Sequence, residues 1–168
     1  MGELKKKVPR LETERLTLQG IELDDTKHIV LWRSDRDVYQ YFQSPHRLSE
    51  KEHIAWYEKK YGTDDTWLQW MAYRKDTGGK IGVFGVKREK DRCQEAEISY
   101  LLSRQSRHCG FAGEAVKRIM EWCSDNDIVT LKAMVHEENE DSIDFIERMG
   151  FCGNGQRGRF IIYEKRLL

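Results

Sequence analysis

Arg107-His108-Cys109-Gly110-Phe111-Ala112 is the stretch of this chain whose residue types and spacing could do chemistry. It follows the apolar run Ile98-Ser99-Tyr100-Leu101-Leu102 and leads into a helix-like segment from Gly113 to Ser124. A strand that feeds a small-residue loop into a helix start makes an anion site, because the first-turn amides lack helical partners and carry partial positive charge. Gly110 and Ala112 are small where a ligand must come close. Arg107 adds a planar fork of donors suited to one arm of a pyrophosphate. A helix start with an incidental glycine would read the same way, so context has to decide.

Two further groups of residues stand out. Glu97 lies in the preceding strand; a partly buried carboxylate there would have a raised pKa suited to proton abstraction, whereas Glu95 and Glu97 on a solvated strand face would do nothing. Asn139 and Ser142 stand at the start of a second helix, where their own chemistry reads as backbone capping.

The elements that must position these residues fit one domain of 168 residues, 39% of them hydrophobic, which is enough for a single core without disulfides or metal. Lys+Arg and Asp+Glu balance at 29 each, so no overall field favours nucleic acid or an anionic membrane. No apolar run reaches the roughly 18 residues of a membrane span, and the expected location is cytoplasmic. Cys93, Cys109, Cys123 and Cys152 contain no C-x-x-C pair, which argues against zinc and a redox dithiol; no metal is expected.

Residues 1–10, with Lys5-Lys6-Lys7, read as a solvated tail, and 11–168 as a single α/β domain. Thr13 to Ile21 alternates as a strand, and Asp24-Asp25 then begins a helix reaching Trp32. Ser49-Glu50-Lys51-Glu52 is a capping box for a helix ending near Tyr61. Trp67–Arg74 and Lys80–Arg88 form a hairpin around Asp76-Thr77-Gly78-Gly79, and a strand over Glu95–Ser103 completes the meander. Beyond the 113–124 helix come a strand over Thr130–Val135, a helix over Ser142–Met149 ended by Gly150, and a strand over Phe160–Tyr163.

Arg107, Gly110 and Ala112 stand at the defining positions of the Q/R-x-x-G-x-G/A motif of GNAT-family N-acetyltransferases, which this chain resembles along almost its whole length. Thr13-Glu14-Arg15-Leu16-Thr17-Leu18 and Val38-Tyr39-Gln40-Tyr41-Phe42 look like the opening of the ribosomal-protein serine/alanine branch. Asn139-x-x-Ser142-x-x-Phe145 leading to Gly150-Phe151 looks like the second coenzyme A motif. The resemblance implies a mixed, mostly antiparallel twisted sheet of six to seven strands with about four helices. It also implies acetyl-coenzyme A as co-substrate and direct transfer of the acetyl group to a primary amine in a ternary complex.

The cofactor residues so implied are Leu101 and Leu102 through their backbone, then Arg107, His108, Cys109, Gly110, Phe111, Ala112, Gly113 and Asn139. Glu97 becomes the candidate base. The family's thiolate proton donor is a tyrosine after the motif's phenylalanine, but that position holds Ile146, which makes Ser142 the nearest hydroxyl. Trp32, Arg33, Tyr41, His53 and Trp56 fall where the family covers its acceptor, although most of the aromatics could equally be core. The acceptor could be a protein N-terminal amine, a small-molecule amine or a nucleotide-linked amino sugar. A non-catalytic coenzyme A-binding module of the same fold is the other reading. Either a monomer or a homodimer is compatible.

Overall fold

The hairpin centred on Asp76 to Gly79 organises the sheet: β3 (Trp67–Arg74) and β4 (Lys80–Arg88) pair antiparallel. Gly78 in their turn has φ 72°, a left-handed conformation that glycine adopts without a Cβ clash. Before the hairpin come β1 (Leu11–Glu12) and β2 (Leu16–Gly20); after it come β5 (Glu95–Leu102), β6 (Thr130–His136), β7 (Cys152–Arg157) and β8 (Phe160–Arg166). The computed structural model describes residues 6–167. Its eight strands form one sheet in the order β1-β2-β3-β4-β5-β6-β8-β7. Every neighbouring pair is antiparallel except β5 and β6, whose parallel pairing needs a crossover helix.

That crossover is α4 (Phe111–Asp125), and the remaining helices among the described residues are α1 (Thr26–Arg33), α2 (Arg36–Tyr39), α3 (Glu50–Trp56) and α5 (Glu140–Arg148). A π-helical turn over Tyr57–Tyr61 extends α3. Ser49 caps α3 as expected, accepting the Glu52 N–H at 3.1 Å, but the reciprocal half of the expected capping box is missing, because the Glu52 carboxylate meets His46 Nε2 at 3.1 Å instead.

The sheet exceeds the expected six to seven strands, and the helices exceed four. β1 is only two residues long. All six β7 residues are exposed, and the run Cys-Gly-Asn-Gly-Gln-Arg lacks the apolar alternation that marks a strand. β7 is defined by hydrogen bonding to β8 rather than by burial. α2 is four residues long, with Asp35 Oδ1 accepting the Asp37 N–H as its N-cap.

Residues 6–10 do not form the expected solvated tail. Lys6 Nζ donates to the Tyr61 and Asp64 carbonyls, Pro9 O accepts from Trp70 Nε1 at 2.7 Å, and Val8 packs on the core. Lys5 lies outside the described residues.

Both sheet faces are covered, so β4 is buried continuously from Ile81 to Val86. One face packs Ala115, Val116 and Ile119 of α4 and Ile146 of α5 against Phe84, Val86, Ala96, Ile98 and Leu131. The other packs Ile29 and Trp32 of α1 and Tyr61 against Met71 and Val83. Where β5 and β6 meet, the sheet opens. They pair only at Glu95–Thr130, Ala96–Leu131 and Glu97–Lys132. Beyond that, β5 stays with β4 as far as Leu102–Gly82, while β6 stays with β8 as far as His136–Phe160.

Candidate active site

The splay between β5 and β6 opens a cleft of about 1420 Å³. Residues 98–102 line one wall and 133–136 the other; the loop before α4, the start of α5 and the segment after α1 close its ends. Because β5 has lost its β6 partner there, one edge of its backbone is available to a ligand as an added strand would use it; the Ser103 N–H to Ile81 O bond and the β4–β5 register turn the Leu102 N–H and C=O to that edge, whereas Leu101, contrary to the expectation, turns its own toward Val83 of β4.

Gly110 closes the far end as the residue before α4, with φ 81°. His108 is also left-handed, at φ 62°. The first i→i−4 bond of α4 is Glu114 N–H to Gly110 O at 3.2 Å, so Phe111, Ala112 and Gly113 contribute amides without an intrahelical acceptor. The left-handed φ favours glycine at 110, and among the described residues the one near neighbour a Cβ would meet is the tip of the Arg15 side chain, Nη2 at 3.3 Å. Arg107, His108, Gly110, Phe111, Ala112, Gly113 and Lys117 all line this end. Cys109 is exposed; its carbonyl accepts from Arg15 Nη1 at 3.0 Å. Small residues, unpaired amides and nearby cations at this end are groups that could hold an anion such as a pyrophosphate.

At the apex, where β5–β6 pairing ends, stands half-buried Glu97. Burial pushes its carboxyl above the ordinary glutamate range, the Glu89 charge adds to this, and Lys87, Arg157 and Lys132 oppose it. Two residues earlier on the same face, Glu95 meets Lys132 Nζ at 2.7 Å, and that hydrogen bond holds its carboxyl low. One strand face therefore carries two carboxylates with opposite tendencies.

A family model described as Acetyltransferase (GNAT) domain matches residues 15–152. The chain belongs to the GNAT acetyltransferase family. The uncharacterized N-acetyltransferase YoaA of Bacillus subtilis is 28% identical over 155 residues, covering 88% of this chain and 85% of the relative. In fold, this GNAT enzyme is similar to the spermidine N-acetyltransferase of Vibrio cholerae crystallised with CoA and spermine. That match has a TM-score of 0.79 at 19% identity and covers 91% of this chain and 96% of that one. The nucleotide-linked sugar GNAT FdhC is equally similar, with a TM-score of 0.79 at 16% identity, covering 95% and 91% of the two chains.

On the α5 side of the GNAT cleft, Asn139 is the N-cap, its Oδ1 accepting the Ser142 N–H at 3.3 Å. Ser142 Oγ meets Tyr100 Oη at 2.5 Å, and both residues line the cleft. Ile146, in the family's tyrosine position, is fully buried in the core.

The acceptor-side expectations divide. Arg33 and Tyr41 line the cleft. The Arg33 guanidinium lies 5.0 Å from the Phe42 ring centre, and burial lowers its pKa against the Glu52 charge. Trp32, His53 and Trp56 do not line it, contrary to the expectation. Trp32 is core, and His53 is 1% exposed with Nδ1 3.1 Å from Thr26 Oγ1. Trp56 stacks on Tyr61 and meets Trp67 edge-on, both at 5.1 Å. Trp32 and Trp56 belong to the second core cluster rather than a ligand surface, and His53 lies against Trp56 with ring centres 5.4 Å apart.

Sequence reasoning overlooked four residues. His136 ends β6 inside the cleft, 5.4 Å from the Tyr41 ring, and its Nδ1 accepts the Glu138 N–H at 3.1 Å, which leaves the neutral ring's proton on Nε2. Period two along β6 puts His136 on the same face as Lys132 and could have flagged it. Glu114 and Arg15 brace the anion loop from behind: Arg15 donates to Glu114 through Nε at 2.8 Å and through its backbone N–H at 3.0 Å. Arg104 binds Asp35 at 2.7 Å and Asp37 at 2.8 Å, tying the turn before the loop to the acceptor-side arch. No sequence spacing predicts those long-range partners.

Among the described residues, no helix is long and apolar enough to cross a membrane.

Proposed function

We propose that the protein transfers the acetyl group of acetyl-coenzyme A directly to a primary amine. The observation that carries this reading is the splayed β5–β6 cleft, with an amide-rich helix start at one end and a carboxylate of raised pKa at its apex. Acetyl-coenzyme A supplies, when bound, an acetyl thioester as the acyl donor. Arg107, His108 and the backbone from Cys109 to Gly113 hold its pyrophosphate. The Leu102 backbone, on the open edge of β5, pairs with the amides of the pantetheine arm, and Asn139 contacts that arm from the start of α5.

Glu97, as the carboxylate, takes a proton from the acceptor ammonium directly or through water, freeing the lone pair that attacks the thioester carbon. Ser142 supplies a hydroxyl beside the sulfur as the carbon–sulfur bond breaks. Arg33, Tyr41 and His136 contact the acceptor. The mixed lining of Arg33, Tyr41, His136 and Glu97 supports a polar amine, and acceptors worth testing include polyamines such as spermidine, peptides with a free N-terminal amine and nucleotide-linked amino sugars.

Calorimetric titration of acetyl-coenzyme A into the native protein and into Gly110→Trp tests the cofactor half. Stoichiometric binding to the native protein, lost in a variant that still unfolds cooperatively, is expected. Thiol release on adding each amine tests the other half. Absence of acetyl-coenzyme A binding to the native protein would overturn the reading, and binding without acceptor-dependent thiol release across the panel would leave a coenzyme A-binding module.

A further inference from the structure

The geometry points to Tyr100 as a positioning residue that acts through Ser142, fixing the Ser142 hydroxyl so that its hydrogen is presented to the sulfur of coenzyme A. The inference rests on reading the cleft as an acetyl-coenzyme A site.

A serine near a helix start commonly spends its oxygen on the helix's own free amides. Here Asn139 does that work, so the Ser142 hydroxyl is released from capping and meets Tyr100 instead. Tyr100 reaches it from β5, across the gap opened by the splay. Its ring is held edge-on against Phe145, with centres 4.9 Å apart. Burial pushes the phenol up to about 12, so it keeps its proton through the physiological range. A phenol is a better donor and a poorer acceptor than an aliphatic hydroxyl, so Tyr100 donates and Ser142 Oγ accepts. That leaves one hydrogen on Ser142, and the free volume beside it is the cleft that both residues line.

Ile146 cannot take this part. It has no hydroxyl, and it is fully buried in the core. The hydroxyl missing from α5 is thus replaced by a pair drawn from two elements, β5 and α5.

The bond changes balance without ionising Tyr100. The amine nitrogen bonds to the thioester carbon, the carbon–sulfur bond breaks, and the electron pair stays on sulfur. Ser142 O–H stabilises that charge by a hydrogen bond. The acceptor nitrogen loses two protons, one from the ammonium before attack and one as the amide forms; each leaves through Glu97 to solvent in turn, and solvent returns one to the thiolate. Tyr100 keeps its own proton throughout.

Coenzyme A itself is the probe, isotopically labelled at the methylene next to sulfur and titrated by NMR while bound to the protein. No acceptor is needed. In the native protein the bound thiol is expected to ionise at lower pH than free coenzyme A. Tyr100→Phe, which keeps the ring on Phe145, and Ser142→Ala should each move that ionisation upward by about one pH unit, and the double variant should move it no further. Ser142→Thr, which retains the hydroxyl, should restore it, and calorimetric affinity for coenzyme A should change little at a pH where the thiol is protonated and fall by up to about tenfold in Tyr100→Phe and Ser142→Ala where it is ionised. If the thiol ionises at the same pH in native protein, Tyr100→Phe and Ser142→Ala, all with coenzyme A bound, the inference is wrong while the cofactor reading stands. If coenzyme A does not bind the native protein, both fall.

Discussion

Glu114→Gln removes one charge from the brace behind the anion loop while keeping the shape of the side chain. In the native protein this carboxylate receives Thr13 Oγ1 at 2.5 Å, Arg15 Nε at 2.8 Å and the Arg15 N–H at 3.0 Å. Arg15 in turn donates to Cys109 O and lies over the Phe111 ring, 4.4 Å from its centre. Hydrogen bonds to an ionised acceptor contribute about 1.5–3 kcal/mol each, against roughly half that for neutral ones. The amide also turns an N–H2 toward donors on one side. Discounting for Arg15, whose side chain is 45% exposed, leaves an expected loss of about 2 kcal/mol. In a domain of this size that lowers Tm by about 4–8 °C.

The pH dependence gives a sharper test. Burial raises the Glu114 carboxyl, but the hydrogen bonds from Thr13 and Arg15 and the Arg15 charge outweigh it, so the folded pKa lies below the ordinary value. A depressed carboxyl pKa contributes stability that is present above the unfolded value, about 4.3, and lost as pH falls through the folded one. Urea unfolding of native and variant protein should therefore show a gap at neutral pH that narrows in acid. A gap that is absent at neutral pH, or unchanged below about pH 4, would refute the reasoning.

Glu97→Gln should lower kcat/KM for acetyl transfer about 100-fold or more and flatten its acid limb, because the native carboxyl must lose a proton at a pH above the ordinary glutamate value before it can act as base; an unchanged pH–rate profile would remove Glu97 from the chemistry. For His53, burial and then the Arg33 charge push the imidazole down to about 4, with Asp25 opposing. The unfolded chain, at about 6.5, takes the proton first, so native stability should fall by up to about 3 kcal/mol as pH drops from about 6.5 to about 4. His53→Leu should flatten that slope in urea midpoints measured against pH, and an equal slope in both proteins would contradict the assignment.

What the sequence made legible follows from where local chemistry dictates structure. β3 and β4 have the bounds expected of them, because a glycine turn between two aromatic and β-branched runs leaves little choice of register. The turn from loop into helix at Gly110 is legible because glycine at a helix start is a local fact. α4 begins at Phe111, two residues before the expected start, because left-handed Gly110 turns the chain into the helix directly. The acceptor side was harder. Spacing cannot tell whether an aromatic on a short helix faces a cleft or another aromatic, and Trp56 found Tyr61 and Trp67. The Tyr100–Ser142 pair joins residues 42 apart in sequence, and Arg15 reaches Cys109 across 94, separations that no local pattern encodes.

The opening between β5 and β6 exposes main chain, and main chain is common to every residue type. Trimming Ile98, Leu101 and Leu102 to alanine would leave the edge donors and acceptors in place and would report on packing alone. A scan of that kind would draw a map of the cleft with its central feature missing. Proline is the substitution that deletes an amide hydrogen, so proline, placed where β5 turns its N–H groups away from β4, is the letter with which this part of the chain has to be read.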